Sequence, residues 1–169
     1  MPGEKMNIDR TDRRILALLS NNARMTNKEL SFEVGLAASS VHERLKRLHE
    51  SGLIAGAHTD VRLEQIGLSL KAMLFIQLSE HKKQDLDRLL REVLKIPEVR
   101  AGWMISGRFD AVVEVVTTDT THLHRLVVEQ FSSRPEISRI ETSIVFDSVV
   151  QNDLSETLQL IEEGQSVNV

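Results

Sequence analysis

The sequence contains no cysteine, no tyrosine and no long hydrophobic run. Without cysteine, a disulfide scaffold, a thiolate zinc site and a cysteine nucleophile are all excluded. No stretch of about 18 apolar residues is present, and the N-terminal residues lack the apolar segment of a signal peptide, so we expect neither a membrane span nor export. These absences predict a soluble globular protein that stays in the cytoplasm.

Sequence patterns for catalysis and for metal binding are missing as well. The sequence has no Gly-rich phosphate loop, no nucleophile elbow and no His-Glu-x-x-His motif, so no set of residues predicts an enzyme. His122 and His124 are two residues apart, and on a helix such side chains point about 160° apart, which disfavours a shared metal ion. We therefore expect no enzymatic activity, no metal and no cofactor, with both histidines at the surface.

The charge is distributed unevenly along the 169 residues, although the net charge is only -4. Residues 1–62 carry 10 Lys and Arg against 8 Asp and Glu, whereas the remainder carries 11 against 17. The N-terminal third can therefore approach a polyanion more easily than the rest of the chain. With 41% hydrophobic residues, the chain can form one ordinary domain or two small ones.

Three short helices are predicted in the N-terminal third. Apolar residues at helical spacing predict the first, with Asp9 and Asp12 as carboxylates in its first turn. Thr26-x-x-Glu29 has the spacing of a capping box and predicts the start of the second helix. Gly35 is expected to end that helix in the left-handed conformation, so the third helix follows at once. This arrangement predicts a helix-turn-helix.

The third helix, predicted over residues 38–51, is the candidate recognition helix. If Val41, Leu45 and Leu48 face the core, the opposite face is small, polar and partly basic. Hydroxyl groups can hydrogen-bond phosphates or base edges, and Arg or Lys can reach guanine or neutralise phosphate. That face and its flanks hold Ser39, Ser40, His42, Glu43, Lys46 and Arg47. The alternative is an ordinary solvated helix in which Glu43 and Arg47 form an i,i+4 pair.

The remaining sequence divides into a linker, a second domain and a tail. Residues 55–68 predict a short extended ribbon that makes the first domain a winged-type helix-turn-helix. Residues 69–152 show the order βαββαβ of a ferredoxin-like fold, an α+β domain with both helices on one face of an antiparallel sheet. Residues 153–169 predict a C-terminal helix that packs on a partner subunit, with a frayed end.

The sheet of the second domain is predicted to have two apolar faces, of which the helices cover one. An apolar face left open in a monomer is an association site, so we expect a homodimer through this domain. Trp103, at a strand position, is expected in the core or in that interface. Gly107 is expected to supply a positive φ in the hairpin between the two middle strands.

Both halves of the sequence resemble the Lrp/AsnC, or feast/famine, family. The segments "IDRTDRRILALLSNNARMTNKEL" and "VGLAASSVHERLKRLHESGLI" resemble its helix-turn-helix pattern. "GWMISGRFDAVVEV" resembles the segment that the family's effector domain carries as Gly-Asp-Tyr-Asp, and "RIETSIVFDSVV" resembles its last strand. The resemblance covers nearly the entire chain.

This resemblance implies a transcription regulator that binds double-stranded DNA as a dimer or as an assembly of dimers, often an octamer. It implies a small effector, usually an amino acid, bound in clefts between dimers. By this likeness, Arg44 joins Ser39, Ser40, His42, Lys46 and Arg47 as a DNA-binding candidate. The implied effector-binding candidates are Gly107, Arg108, Phe109, Asp110, Thr142 and Ser143.

Several positions depart from the family pattern. Ala37 and Ala38 replace a frequent Ser-Pro at the start of the third helix, so Ser39 or Ser40 is expected to cap it, and Ser40-x-x-Glu43 has capping-box spacing. Arg108 stands where the family often has an acidic residue, and Phe109 lacks the hydroxyl of the usual tyrosine. An amino acid, an acidic effector, a different ligand and no ligand all stay open.

Two functions follow from these patterns. The first is a sequence-specific DNA-binding transcription regulator whose dimer places two third helices in successive major grooves. The second is a ligand-sensing regulatory module that acts through protein contacts without specific DNA binding. An architectural DNA binder of weak specificity is a third reading, which the acidic second domain disfavours.

Overall fold

The computed structural model describes residues 7–80 and 83–166. They fall into two compact units. The helical unit is drawn from Met1–Thr59 and Val149–Val169, and the sheet unit from Asp60–Ser148. The helical unit therefore contains described residues from both sides of the sheet unit in sequence. No helix within the described part is both long and apolar enough to cross a membrane.

The helical unit contains the three predicted N-terminal helices. Both predicted helix starts carry complete capping boxes: Asp9 with Asp12 at the first helix, and Thr26 with Glu29 at the second. Gly35 ends the second helix with φ 68°, as the sequence predicts. The helices are α1 (Arg10–Asn21), α2 (Asn27–Val34) and α3 (Ala38–Glu50).

The three helices share a small core. Ile15 of α1, Leu30 of α2, and Val41 and Leu48 of α3 are fully buried. Each helix contributes at least one side chain to this core, so the buried residues of α3 determine which of its sides faces inward. The opposite side of α3 faces outward.

A segment without strands follows α3, which corrects the predicted ribbon at 55–68. Residues 55–62 form no strand, and a 3₁₀ turn spans Leu63–Ile66 before Gly67 at φ 94°. No neighbouring strand lies there within the described residues, so the extended backbone has no ladder to join.

The C-terminal helix α6 (Ser155–Ser166) packs on α1 of its own chain, whereas the sequence reading placed it on a partner subunit. Its contact surface on α1 includes Ala17, which is 5% exposed. The Ser20 hydroxyl oxygen accepts a hydrogen bond of 3.2 Å from the backbone N–H of Leu154. At the start of α6, the Asp153 carboxylate accepts from the backbone N–H of Ser155 at 2.8 Å.

The sheet unit has the predicted βαββαβ order. Its four strands form one antiparallel sheet in the order β2-β3-β1-β4. The α5 helix starts at Asp119, whose side chain accepts from the backbone N–H of His122, and continues into a π-helical turn, Val127–Ser132. The elements are β1 (Leu70–Leu78), α4 (Lys83–Val93), β2 (Val99–Met104), β3 (Ala111–Thr117), α5 (Thr120–Leu126) and β4 (Ile137–Val145).

The two faces of the sheet differ in burial. Along β1, alternate residues such as Leu74 and Ile76 are fully buried in a core shared with the helices, including Leu89 of α4 and Phe131. The intervening residues point to the opposite face, because side chains alternate along a strand. We call this face, which holds Met73, Phe75, Trp103, Val112 and Ser143, the open face.

Candidate functional site

The outward side of α3 presents most of the predicted DNA-binding side chains. Ser39, Ser40, His42, Lys46 and Arg47 are exposed, whereas Arg44 is only partly exposed. Lys46 lies 3.9 Å from the carboxylate of Glu50, in a pair that is two-thirds exposed on both sides. An exposed pair of this kind is weak, so the Lys46 ammonium remains able to move to a phosphate.

The start of α3 differs from the predicted capping. Ala37 is the N-cap residue and makes no side-chain cap hydrogen bond, so the predicted cap by Ser39 or Ser40 and the capping box of Ser40 with Glu43 are wrong. Both serines lie inside the first helical turn, where the backbone is already helical. Their hydroxyls are consequently left for other partners, and N–H groups of the first turn lack a side-chain acceptor.

A cluster of ion pairs holds α3 against α1. Arg44 Nη1 donates to Asp9 Oδ2 at 2.6 Å and to Asp12 Oδ1 at 2.7 Å. Arg47 Nη2 donates to the second carboxylate oxygen of Asp12, which is fully buried. Since these contacts join residues more than 30 positions apart, they fix α3 on α1.

The pKa values of this cluster follow from its hydrogen bonds. The backbone N–H of Asp12, and to a smaller extent Arg44, hold the pKa of Asp9 below its ordinary value. The hydrogen bond from Arg44 to Asp12, followed by that to Asp9, raises the pKa of Arg44. Arg44 is therefore a permanently charged residue that is already paired within the helical unit. Arg47 keeps half of its side chain exposed.

His42 links α3 to the start of α2. Its Nδ1 lies 3.4 Å from the side-chain nitrogen of Asn27, the first residue of α2. The ring is exposed, so it can still contact a ligand on its outer side. This contact orients His42 toward the start of α2.

The predicted effector residues begin in the hairpin between β2 and β3. Gly107 has φ 124°, the positive value predicted for it. The Asp110 Oδ2 atom accepts from the backbone N–H of Leu78 at 2.8 Å, and the backbone N–H of Asp110 donates to Ile76 O at 2.9 Å. Asp110 thus anchors the hairpin to the end of β1.

Arg108 and Phe109 connect this hairpin to the neighbouring strands. Arg108 Nη2 donates to Glu141 Oε1 at 3.0 Å, and its guanidinium carbon lies 5.3 Å from the centre of the Phe109 ring. The Phe109 ring centre is 5.6 Å from that of Phe75. Glu141 Oε1 also lies 2.6 Å from Arg139 Nη2, so two guanidinium groups share one carboxylate.

The two β4 candidates point in opposite directions. Thr142 pairs with Leu74, which faces the helices, while Ser143 pairs with Met73 on the open face. The structure therefore brings Ser143 to the same face as Glu141 and Phe75, and it directs Thr142 to the other face. The sequence reading missed Glu141 and Arg139, although strand alternation places both on the same face as Ser143.

The histidines of α5 differ from the predicted surface pair. His124 is exposed, but the His122 side chain is 21% exposed, and its Nε2 lies 3.0 Å from Glu98 Oε1. His122 is thus tied to the segment that precedes β2. Within the described residues, no three His, Asp or Glu side chains are grouped as a metal site would require.

Family models match both units. A winged helix-turn-helix DNA-binding model matches residues 8–55, and the Lrp/AsnC ligand binding domain matches residues 71–154. The chain is 32% identical to the HTH-type transcriptional regulator AldR of Mycolicibacterium smegmatis, over 83% of this chain and 82% of that protein. It is 33% identical to the proline dehydrogenase transcriptional activator of Rhizobium radiobacter, over 87% and 94%.

Solved structures agree in fold. A transcriptional regulator of Neisseria meningitidis in complex with L-Met matches with a TM-score of 0.78 at 27% identity, over 86% of this chain and 94% of that one. AsnC of Escherichia coli matches with a TM-score of 0.76 at 26% identity, over 86% and 97%. With a helix-turn-helix in one unit and an effector domain in the other, the chain belongs to the Lrp/AsnC family of DNA-binding transcription regulators.

Proposed function

We propose that the outward face of α3 reads operator DNA from the major groove. The observation that carries this proposal is that α3 turns hydroxyl and cationic side chains outward while ion pairs to α1 fix its buried side. A rigid helix with a polar, partly basic face is what base-edge readout requires. The residues proposed to touch DNA are Ser39, Ser40, His42, Lys46 and Arg47.

We assign Arg44 a positioning role in the same interface. Its guanidinium is paired with Asp9 and Asp12, and only 27% of its side chain is exposed. Removing those pairs to reach a phosphate would leave the buried Asp12 carboxylate with one partner fewer, which is costly. Arg47 combines both roles, because its exposed half can approach phosphate while Nη2 stays on Asp12.

The proposed regulator acts as a homodimer through the open face. Trp103 is 45% exposed there, in one row with Val112 and the partly buried Phe75, and a row of exposed apolar side chains on a sheet is stabilised by a second copy. A two-fold dimer places two α3 helices about 34 Å apart for successive half-sites. Assembly of dimers to an octamer is a further expectation from the family.

We propose a small effector at the β2–β3 hairpin, with an amino acid as the first candidate. The L-Met complex of the Neisseria regulator supports an amino acid as the ligand class. The proposed contacts are Gly107, Arg108, Phe109, Asp110 and Ser143. The side chain of Thr142 points to the other face of the sheet, so only its backbone is proposed to face the site. Arg108 favours an effector that carries a carboxylate.

We propose that each predicted segment has its own role. Residues 1–54 bind DNA, residues 55–68 are the linker, residues 69–152 bind the effector and form the assembly interface, and residues 153–169 are the C-terminal tail. A transcription regulator must reach chromosomal DNA, and we therefore infer a cytoplasmic location. The relatives' roles as transcription regulators support a non-enzymatic function.

Selection of bound fragments from sheared source-genome DNA tests the DNA proposal. At near-physiological salt, we expect recovery of a pseudo-palindromic motif that survives raised salt. Recovery of no motif would overturn the proposal and favour a sensor that acts through protein contacts. Repeating the selection with a pool of amino acids tests the effector, since a changed set of fragments is expected only if a ligand binds.

Lys46→Ala tests the helix itself. If Lys46 touches phosphate, the variant should bind the selected site more weakly, and the slope of log K against log salt should fall by about 1. Lys95→Ala, an exposed lysine of the sheet unit, is the matched control and should leave the slope unchanged. Equal slopes for both variants would contradict the assignment of Lys46.

A further inference from the structure

Glu43 is an acidic residue near the middle of the outward face of α3. It is exposed, and it lies four residues after Ser39 and four before Arg47, so the three side chains follow one another along one side of the helix. A carboxylate at this place lies close to the phosphates of a DNA duplex bound by α3, and like charges repel. Glu43 therefore weakens DNA binding in general unless it gains a contact of its own.

The neighbouring cations of α3 do not neutralise Glu43. Arg47, which is at the i,i+4 position, directs Nη2 to Asp12, so the ion pair of Glu43 with Arg47 that an ordinary solvated helix would have is not formed. Lys46 lies beside Glu50. The capping box predicted for Glu43 is absent as well. Within residues 7–80 and 83–166, the Glu43 carboxylate has neither an ion pair nor a side-chain hydrogen bond.

An unpaired carboxylate can recognise a base only by accepting a hydrogen bond. In the major groove, the donors are the N4 amino group of cytosine and the N6 amino group of adenine. Adenine also presents the acceptor N7 beside its amino group, whereas cytosine presents no acceptor at this edge. Guanine and thymine present acceptors, which repel a carboxylate. Cytosine is therefore the base that suits Glu43 best.

We propose that Glu43 selects a cytosine in each half-site of the operator. This rests on the proposed function, because α3 has to lie in the major groove for the contact to form. The carboxylate accepts from cytosine N4 and disfavours other bases at the same position, so it lowers the affinity for DNA in general and increases the discrimination between sequences. Glu43 is then a specificity-determining residue, whereas Lys46 and Arg47 supply affinity.

The fragment selection described above, repeated with the full-length Glu43→Ala variant, tests this proposal. We expect the variant to select the same motif except for the loss of one cytosine in each half-site. Fluorescence anisotropy then compares sites with and without that cytosine. Its replacement in one half-site should weaken binding by the natural sequence about tenfold and binding by Glu43→Ala less than about twofold. The variant should also bind DNA outside the motif more tightly, since a negative charge has left the interface.

Two further variants separate base recognition from charge. Glu50→Ala removes another exposed carboxylate, seven residues on and at nearly the same angle around α3, but at its C-terminal end. Because the N-terminal residues of a recognition helix reach the bases, this control should select the unchanged motif. Glu43→Gln keeps the length of the side chain, and its amide can pair with adenine at N6 and N7, so the selected base should change from cytosine to adenine.

The proposal is overturned if Glu43→Ala selects the motif of the natural sequence, or a motif relaxed at a position that holds no cytosine. If the natural sequence selects no motif, the proposed function fails and this proposal fails with it. The two failures are therefore distinguishable. Far-UV circular dichroism of the variants should match that of the natural sequence, because the Glu43 side chain is exposed and unpaired.

Discussion

Asp12 is the most constrained charged residue of the helical unit. Its carboxylate is fully buried, accepts from Arg44 and Arg47, and completes the capping box with Asp9. A buried charge that loses its partners is costly, and so are guanidiniums that lose theirs. Asp12 therefore couples the start of α1 to the orientation of α3.

Replacing Asp12 by alanine should lower the free energy of unfolding of the helical unit by about 3 kcal/mol. Urea unfolding followed by far-UV circular dichroism measures the loss. Glu50→Ala, which removes only the exposed partner of Lys46, is the control and should cost less than about 0.5 kcal/mol. A loss for Asp12→Ala as small as that of the control would contradict the structural role of the cluster.

The lowered carboxylate pKa values predict acid sensitivity. Asp9 and Glu29 accept from the backbone N–H groups of Asp12 and Thr26, which lower the pKa of each below its ordinary value. Their contribution to stability is thus complete above the ordinary carboxylate range near pH 4 and disappears as the pH falls through the lowered values. Stability should be flat near neutral pH with respect to these groups.

Asp9→Asn isolates part of this effect, since asparagine also caps helices but does not ionise. Urea midpoints measured between pH 7 and pH 2 should fall less steeply with acid for this variant than for the natural sequence. Identical acid profiles would mean that the Asp9 carboxylate does not contribute.

Contacts between individual residues were hard to predict when the two residues lie far apart along the chain. Helical spacing placed Asp12 in the first turn of α1, which is a local property. The likeness to the family placed Arg44 on the DNA side, while its pairing with Asp12 joins residues 32 positions apart. No periodicity reveals such a contact, because it depends on how two helices cross.

Among the elements, α3 begins in an unusual way. Ala37 has extended backbone angles suited to a cap, φ -64° and ψ 146°, but it has no side-chain oxygen to accept from the first turn. A serine at this position could accept that hydrogen bond without changing the backbone.

Ala37→Ser should therefore stabilise the helical unit by about 0.5–1 kcal/mol, measured as an increased urea midpoint. Ala38→Ser is the matched control: it introduces the same hydroxyl one residue later, inside the helix, and should give no gain. Equal effects of the two substitutions would show that the cap is not the cause.

Elements with local start or stop signals were predictable. The carboxylates of Asp9 and Asp12 at the start of α1, the capping box at Thr26 and the left-handed Gly35 each lie within a few residues of what they control. The ribbon at 55–68 was not, because a strand forms only where a neighbouring strand supplies hydrogen bonds. The docking of α6 likewise depends on a surface of α1 far away in sequence.

At the scale of the whole molecule, the proposed homodimer depends on the open face. Trp103→Glu would put a charge next to Val112 and in the apolar row of that face, so a dimer formed there should dissociate. Sedimentation equilibrium at micromolar concentration should give a dimer or larger assembly for the natural sequence and a smaller species for the variant.

Phe32→Glu serves as the control for this change. Phe32 is 86% exposed on α2 of the helical unit, so the same charge introduced there should leave the mass unchanged. A natural protein that sediments as a monomer, or a Trp103→Glu variant of unchanged mass, would rule out assembly through the open face.

The βαββαβ order was predictable because strands and helices have different apolar periods. The arrangement of the candidate effector residues was only partly predictable. Thr142 and Ser143 are neighbours in sequence, yet the alternation of β4 separates their side chains. The pairing of Arg108 with Glu141 crosses 33 positions and becomes visible only in three dimensions.

The helical unit combines α1, α2 and α3 with α6, which lies on the far side of the sheet unit in sequence, and this has a consequence during synthesis. The first three helices leave the ribosome early, but α6, which packs on α1, is made only after the whole sheet unit. The sheet unit can thus fold while the helical unit still lacks a part. A premature stop codon between the sheet unit and α6 would yield a protein with a complete effector domain and an incomplete DNA-binding unit.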